Sequence, residues 1–212
     1  MTQPVERRRH YTVEEYLQLE SQSDEKFEYW DGFIVRLSEL IGMAGGSYEH
    51  SIISANVIIA LGNALQGGPC RVANSDLRVK RPRTPFYFHP DATVICGEAQ
   101  LEHHSKNAPS LLNPRVVVEV LSPSTEAYDR GGKLRQYLEI PSLHEYVLVL
   151  QDTPRVESFW RRPDGSCSFN AAEGLEANLL LCSLDVSIPL RQIYENITFP
   201  PPEPPAGAGQ VA

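Results

Sequence analysis

Apolar residues at Ile53, Val57, Ala60, Leu61, Ala64 and Leu65 recur at the spacing of one helical face and predict a helix from His50 to Leu65. Gly67-Gly68-Pro69 stops it. A shorter helix is predicted near the start, where Thr12 followed by Glu15 forms a capping box ahead of Tyr16, Leu17 and Leu19. Between the two helices, FEYWDGFIVRL reads as two short strands about an Asp31-Gly32 turn. Strands are expected near 70–73, 76–81 and 91–96, followed by a long polar connection, GEAQLEHHSKNAPSLLNP. PRVVVEVLSPST and HEYVLVLQ carry unbroken apolar runs of strand length, with a helical pattern from Thr125 to Glu139 between them. Leu134, Tyr137 and Leu138 share one face of that helix, and Pro141 ends it. RVESFWRR opens a hairpin, and NLLLCSLDVSIPLRQIYENI closes the domain with a short helix around Leu190–Asn196. This order predicts an α/β (α+β) domain, a central mixed β-sheet flanked by helices.

Residues 1–10 read as a loose polar arm, 11–198 as the domain, and the Pro- and Gly-rich 199–212 as a disordered tail. No apolar run approaches the roughly 18 residues needed to span a bilayer. The basic N-terminal patch is not followed by the apolar stretch of a secretory signal. Cys70, Cys96, Cys167 and Cys182 form no close pair, so reduced, mostly buried thiols in a cytoplasmic protein are expected. A net charge of −8 excludes indiscriminate nucleic-acid binding over the whole surface. It leaves room for a local basic groove. The run RVANSDLRVKRPR offers Arg78, Lys80 and Arg81 as nucleic-acid contacts; the same residues also read as the solvated guard of an edge strand.

Candidate chemistry centres on Glu119, a carboxylate inside VVVEVL. An unpaired charge there is costly, so Glu119 is paired, protonated or holding a cation. Asp91, in FHPDATVIC, enters another apolar strand. If the two strands are neighbours, the carboxylates converge, and a bridging cation relieves their repulsion. Oxygen ligands with open water positions suit Mg²⁺ or Mn²⁺. Other readings stand beside these. Glu119 fits a structural ion pair with Lys133 or Arg135, and Asp91 fits a strand-entry residue that accepts from backbone amides. Asp129 and Lys133 fit an ordinary exposed pair, Glu28 a surface residue or hairpin structure, His50 a helix start, and His103-His104 a solvated loop. The Gly-rich stretch GMAGGSYEH lacks a Walker lysine, and no G-x-S-x-G appears.

The ordered set PDATV, VVVEVLSPST, YDRGGKLRQY and HEYVLV resembles the PD-(D/E)XK nuclease superfamily, and more closely the Uma-type endonuclease family. YWDGFIV and MAGGSYEH match that family's N-terminal motifs. The resemblance implies a restriction-endonuclease-like fold and a metal-dependent endonuclease acting on DNA, with Asp91 and Glu119 as metal ligands. It implies that the lysine comes from the following helix as Lys133, since the usual position two residues after the glutamate is Leu121. Glu28, His50 and Asp129 match accessory positions. A homodimer is in keeping with cutting two strands. The competing reading is a non-catalytic nucleic-acid-binding or assembly module that retains the fold.

Overall fold

The computed structural model describes residues 9–40, 47–104 and 107–199. Most of the expected N-terminal arm, most of the Gly-rich loop and nearly all of the C-terminal tail lie outside these residues.

Helix α1 (Val13–Ser21) begins with the expected capping box. Strands β1 (Phe27–Trp30) and β2 (Phe33–Arg36) form a hairpin whose turn residues, Asp31 and Gly32, both have positive φ, at 44° and 92°. A positive φ at both central positions matches the right-handed twist of the flanking strands, which is why Asp-Gly serves there. A single turn of helix, α2 (Leu37–Leu40), follows. Helix α3 (Tyr48–Ala64) buries Ile53, Val57, Ala60 and Leu61, as the periodicity requires, while Ala64 at its end is exposed.

Next come β3 (Cys70–Asn74), β4 (Arg78–Lys80), β5 (Phe86–Phe88), β6 (Ala92–Cys96), β7 (Leu101–Glu102), β8 (Ser110–Leu111) and β9 (Val116–Leu121). The helical stretch after β9 is α4 (Glu126–Tyr128), a π-helical segment Asp129–Lys133, and α5 (Leu134–Leu138). Strands β10 (Glu145–Leu150), β11 (Arg155–Arg161), β12 (Cys167–Glu173), β13 (Asn178–Leu181) and β14 (Val186–Pro189) precede α6 (Leu190–Ile193). Neither β5 nor the pair within the polar connection is signalled by the sequence pattern; each is only two or three residues long, too short for an alternation to register.

The strands make two six-stranded mixed sheets, ordered β2-β1-β5-β4-β8-β7 and β12-β11-β10-β9-β6-β3, and a small β13-β14 ribbon. The expectation of one central sheet is thus met by two. In the second, β9 lies between parallel β10 and antiparallel β6. All six residues of β9 are buried, and the pleat sends them to opposite faces. Val116, Val118 and Val120 pack with α3. Val117 and Leu121 pack with Tyr137 of α5 and with Phe86, Phe88 and Leu111 of the first sheet. Glu119 shares that second face by alternation. A third cluster, Tyr16, Phe27, Tyr29 and Tyr87, seals α1 onto the first sheet.

The expectation for the cysteines is overturned. Cys70 and Cys96 face each other in the β3–β6 register and form a disulfide, while Cys167 and Cys182 are exposed thiols. Twenty-six residues of separation hide the pairing in the sequence. Antiparallel register creates it. Among the described residues no helix is long and apolar enough to cross a membrane.

Candidate functional site

Register brings the carboxylates together. Ala92 pairs with Val118 across β6 and β9, so one step further Asp91 stands opposite Glu119. Asp91 Oδ2 accepts a hydrogen bond of 2.7 Å from the amide of Val120, the residue after Glu119. The amide-accepting role considered for Asp91 is therefore real, and it fixes the carboxylate beside Glu119.

Lys133 arrives from the helix that follows β9. Its Nζ lies 2.9 Å from Glu28 Oε1, 3.1 Å from Glu119 Oε1 and 3.2 Å from Asp129 Oδ1. All four side chains are at most 5% exposed. The exposed i,i+4 pair and the surface Glu28 are ruled out by this burial. Asp129 and Lys133, the two ends of a π-helical turn, both face inward; such turns recur at functional sites. Gly132 within it has no room for a Cβ, which would fall on the Trp30 ring. Tyr137, four residues after Lys133, donates to Glu119 Oε1 at 3.0 Å. The sequence reading placed Tyr137 on the packed face without seeing this bond; extending the four-residue spacing of Asp129 and Lys133 by one more step would have found it.

His50 sits in the first turn of α3, where Ser47 caps its amide at 3.1 Å. Its Nε2 lies 3.4 Å from Asp91 Oδ2. Burial pulls the imidazole pKa down, but the Asp91 contact and the Val120 backbone outweigh it, and the net shift is upward. His50, Asp91, Glu119, Val120, Asp129 and Lys133 all line one cavity of about 530 Å³.

The electrostatics follow from the head count. Glu28, Asp91, Glu119 and Asp129 face one lysine and one histidine. Burial opposes the charge on Lys133, yet Glu119, Glu28 and Asp129 more than compensate and raise its pKa well above the usual lysine range. For Glu119, burial raises the pKa first; Lys133 pulls it back, and Asp129, Asp91 and Glu28 push it up further. Glu28 Oε2 and Asp129 Oδ1 are buried without a hydrogen bond of good geometry. A site this rich in carboxylate oxygen fits Mg²⁺ or Mn²⁺ by donor type and by charge. Among the described residues no three His, Cys, Asp or Glu side chains already converge on one point. Asp91 and Glu119 are the two carboxylates that would hold such a cation, in keeping with the habit of Mg²⁺ of taking one or two carboxylates from a protein.

The basic run behaves otherwise. Arg78, expected at a nucleic-acid surface, is 2% exposed. It pairs with Glu20 and donates to Ser110 Oγ and the Ala108 carbonyl, because β4 is an interior strand of the first sheet. Lys80 is bound to Glu102, and Arg81 to Gln136 and Glu139. These three residues form no free basic stripe, nor the guard of an edge strand. His104, expected in a solvated loop, is buried against Ser110.

The family model described as "Uma2: Putative restriction endonuclease" matches residues 13–188. The chain belongs to this family. It is 38% identical to "Uncharacterized protein slr1290" of Synechocystis sp. (strain ATCC 27184 / PCC 6803 / Kazusa) over 189 residues, covering 88% of this chain and 92% of the relative. A second Synechocystis relative, "Uncharacterized protein sll1609", is 34% identical over 153 residues, 72% of this chain and 82% of its own length. The crystal structure of a "putative nuclease belonging to DUF820" from Anabaena variabilis ATCC 29413 superposes with a TM-score of 0.65 at 16% identity, over 86% of this chain and 96% of that one. At that identity the likeness shows the fold. The Uma2 motifs that carried the resemblance in the sequence, PDATV, VVVEVLSPST and YDRGGKLRQY, are those that meet at the Lys133 cluster.

Proposed function

We propose that the chain is a divalent-metal-dependent endonuclease that hydrolyses DNA phosphodiester bonds, with Asp91 and Glu119 as ligands of Mg²⁺ or Mn²⁺. The observation that carries this reading is the excess of carboxylates over cations on the wall of a cavity of about 530 Å³. A purely structural cluster is better served by balanced charge. Membership of a family described as "Putative restriction endonuclease" supports the reaction class.

Such a cation, when bound, supplies Lewis-acid activation of water and of a phosphodiester. The chain's own side chains do the positioning. The Val120 amide and His50 hold Asp91; Lys133 and Tyr137 hold Glu119. The surrounding carboxylates raise the Lys133 pKa well above the usual lysine range and favour its charged form. Its charge at the cavity wall offsets negative charge that develops on a phosphate.

The test is calorimetric Mn²⁺ titration followed by plasmid cleavage, on wild type, Asp91→Asn and Glu119→Gln. Wild type is expected to bind Mn²⁺ and cut. Each variant should lose at least about a hundredfold in Mn²⁺ affinity, the upper range seen for groups that support a metal, and should not cut. Both variants should stay folded, since each removes negative charge where it is in excess. Mn²⁺ uptake with no turnover on plasmid, single-stranded DNA or RNA would move the reading to a nucleic-acid-binding module that retains the fold.

A further inference from the structure

We propose that Tyr137 is a positioning residue that turns the second oxygen of Glu119 toward the metal site. The inference rests on the metal reading of Asp91 and Glu119 and adds a residue to it.

Both donors that reach the Glu119 side chain end on the same atom. Lys133 Nζ lies 3.1 Å and Tyr137 Oη 3.0 Å from Oε1. Among the described residues no donor reaches Oε2, while Glu119 itself lines the cavity. Two donors on one oxygen fix the plane of a carboxylate and leave the other oxygen for a cation. Lys133 is poorly suited to this alone, because the same Nζ is shared with Glu28 and Asp129. Tyr137 has no such division of labour. It is 0% exposed, and its ring is held between Phe88 and Tyr146 at centroid distances of 5.2 and 5.1 Å. A buried phenol hydroxyl needs an acceptor, and Glu119 is the one it has. The π segment contributes as well. Asp129, Lys133 and Tyr137 follow at four-residue steps along one continuous helical stretch, so the helix delivers the cation and the hydroxyl to the same carboxylate.

Tyr137→Phe keeps the ring and its packing and removes only Oη. Its Mn²⁺ affinity, read by calorimetry on the full chain, should fall about tenfold, the scale found when a group that orients a metal ligand is removed. The electron paramagnetic resonance lines of bound Mn²⁺ should broaden as the ligand loses its fixed orientation. Tyr146→Phe is the control. Its hydroxyl donates to the Asp129 carbonyl at 3.2 Å and touches no carboxylate of the site, so its Mn²⁺ affinity should match wild type. A Tyr137→Phe variant that binds Mn²⁺ as tightly as wild type, while Glu119→Gln does not bind, overturns the role of Tyr137 alone. A Tyr146→Phe variant that weakens binding equally overturns it too, in favour of general loosening of the aromatic stack. A wild-type chain that takes up no Mn²⁺ overturns the metal reading and this inference together.

Discussion

Two clusters of buried charge lie close together in this molecule, and they are built to different rules. In one, Arg78 pairs with Glu20 and also donates to Ser110 Oγ at 2.9 Å and the Ala108 carbonyl at 2.9 Å. Tyr16 donates to Glu20 as well. One carboxylate meets one guanidinium, and hydroxyls and carbonyls take up the remaining donors. In the other, Lys133 is shared among Glu28, Glu119 and Asp129, with Asp91 and His50 beside it. His89 stands between them: its ring meets Glu20 and its amide donates to Glu28 Oε1. The first cluster is closed and balanced, as a buried ion pair must be if it is to hold α1 against the first sheet. The second keeps surplus negative charge at a cavity. Burial is common to the two clusters; the imbalance of charge is what sets the second apart.

The sharpest way to test that contrast is to delete each cation. Arg78→Met strands Glu20 in the interior, and Lys133→Met strands three carboxylates. Each should cost about 3–5 kcal/mol of stability in the presence of EDTA, by urea unfolding, as expected when one partner of a buried pair is removed. Added Mn²⁺ should then separate them. The deficit of Lys133→Met relative to wild type should shrink, because the vacated cage welcomes a cation more readily than the occupied one. An ion at a hundredfold excess over its Kd contributes about 2.7 kcal/mol. The deficit of Arg78→Met should not change. Equal rescue of both, or of neither, would break the comparison.

How much of this was legible beforehand follows the same division. Asp91 and Glu119 could be singled out because each is a carboxylate in or at the mouth of an apolar strand, whereas Lys133 could be named only through the family resemblance, since its own stretch reads equally as an exposed pair with Asp129. The Asp31-Gly32 hairpin was legible because few residue pairs suit two positive φ angles. Arg78 was misread because a cluster of basic residues in a sequence says nothing about which strand is interior; that depends on β8, a two-residue strand inside a polar connection. Glu20 drew no attention, since its partner lies 58 residues away and its own helix is polar on most sides. The Cys70–Cys96 disulfide shares this cause. It is a product of register, and register is set by the whole sheet rather than by any local stretch.

The π segment gives a narrower test of how the unbalanced cluster is held. A Cβ on Gly132 would overlap the Trp30 ring. Gly132→Ala should therefore cost about 1–3 kcal/mol, the usual range for overpacking a filled site. It should also weaken Mn²⁺ binding, because Asp129 and Lys133 flank the displaced turn. In a Trp30→Ala background the extra cost should disappear, and a double-mutant cycle measures that coupling. Gly131, whose Cβ would meet nothing within 4 Å, is the matched control, and Gly131→Ala should leave both quantities near wild type. If the two glycines respond alike, the segment is tolerant and its close approach to Trp30 carries no positional information for the site.

The smallest effect is a slope. Burial and the neighbouring carboxylates hold the Glu119 pKa well above its ordinary 4.5. Between 4.5 and that raised value the folded chain binds a proton that the unfolded chain has released. Stability contributed by this group is present at low pH and is lost as pH rises through the window, by at most about 1.4 kcal/mol per pH unit for one proton. The urea midpoint of the metal-free chain should therefore carry a downward contribution with rising pH that Glu119→Gln removes. Mn²⁺ should flatten it in wild type, since a bound cation takes the place of the proton. The Arg78 cluster predicts no response of this kind to Mn²⁺, so repeating the titration with Arg78→Met should return the wild-type slope on a lower baseline. A slope that survives Glu119→Gln would assign the surplus proton elsewhere and remove the imbalance as the mark of the site.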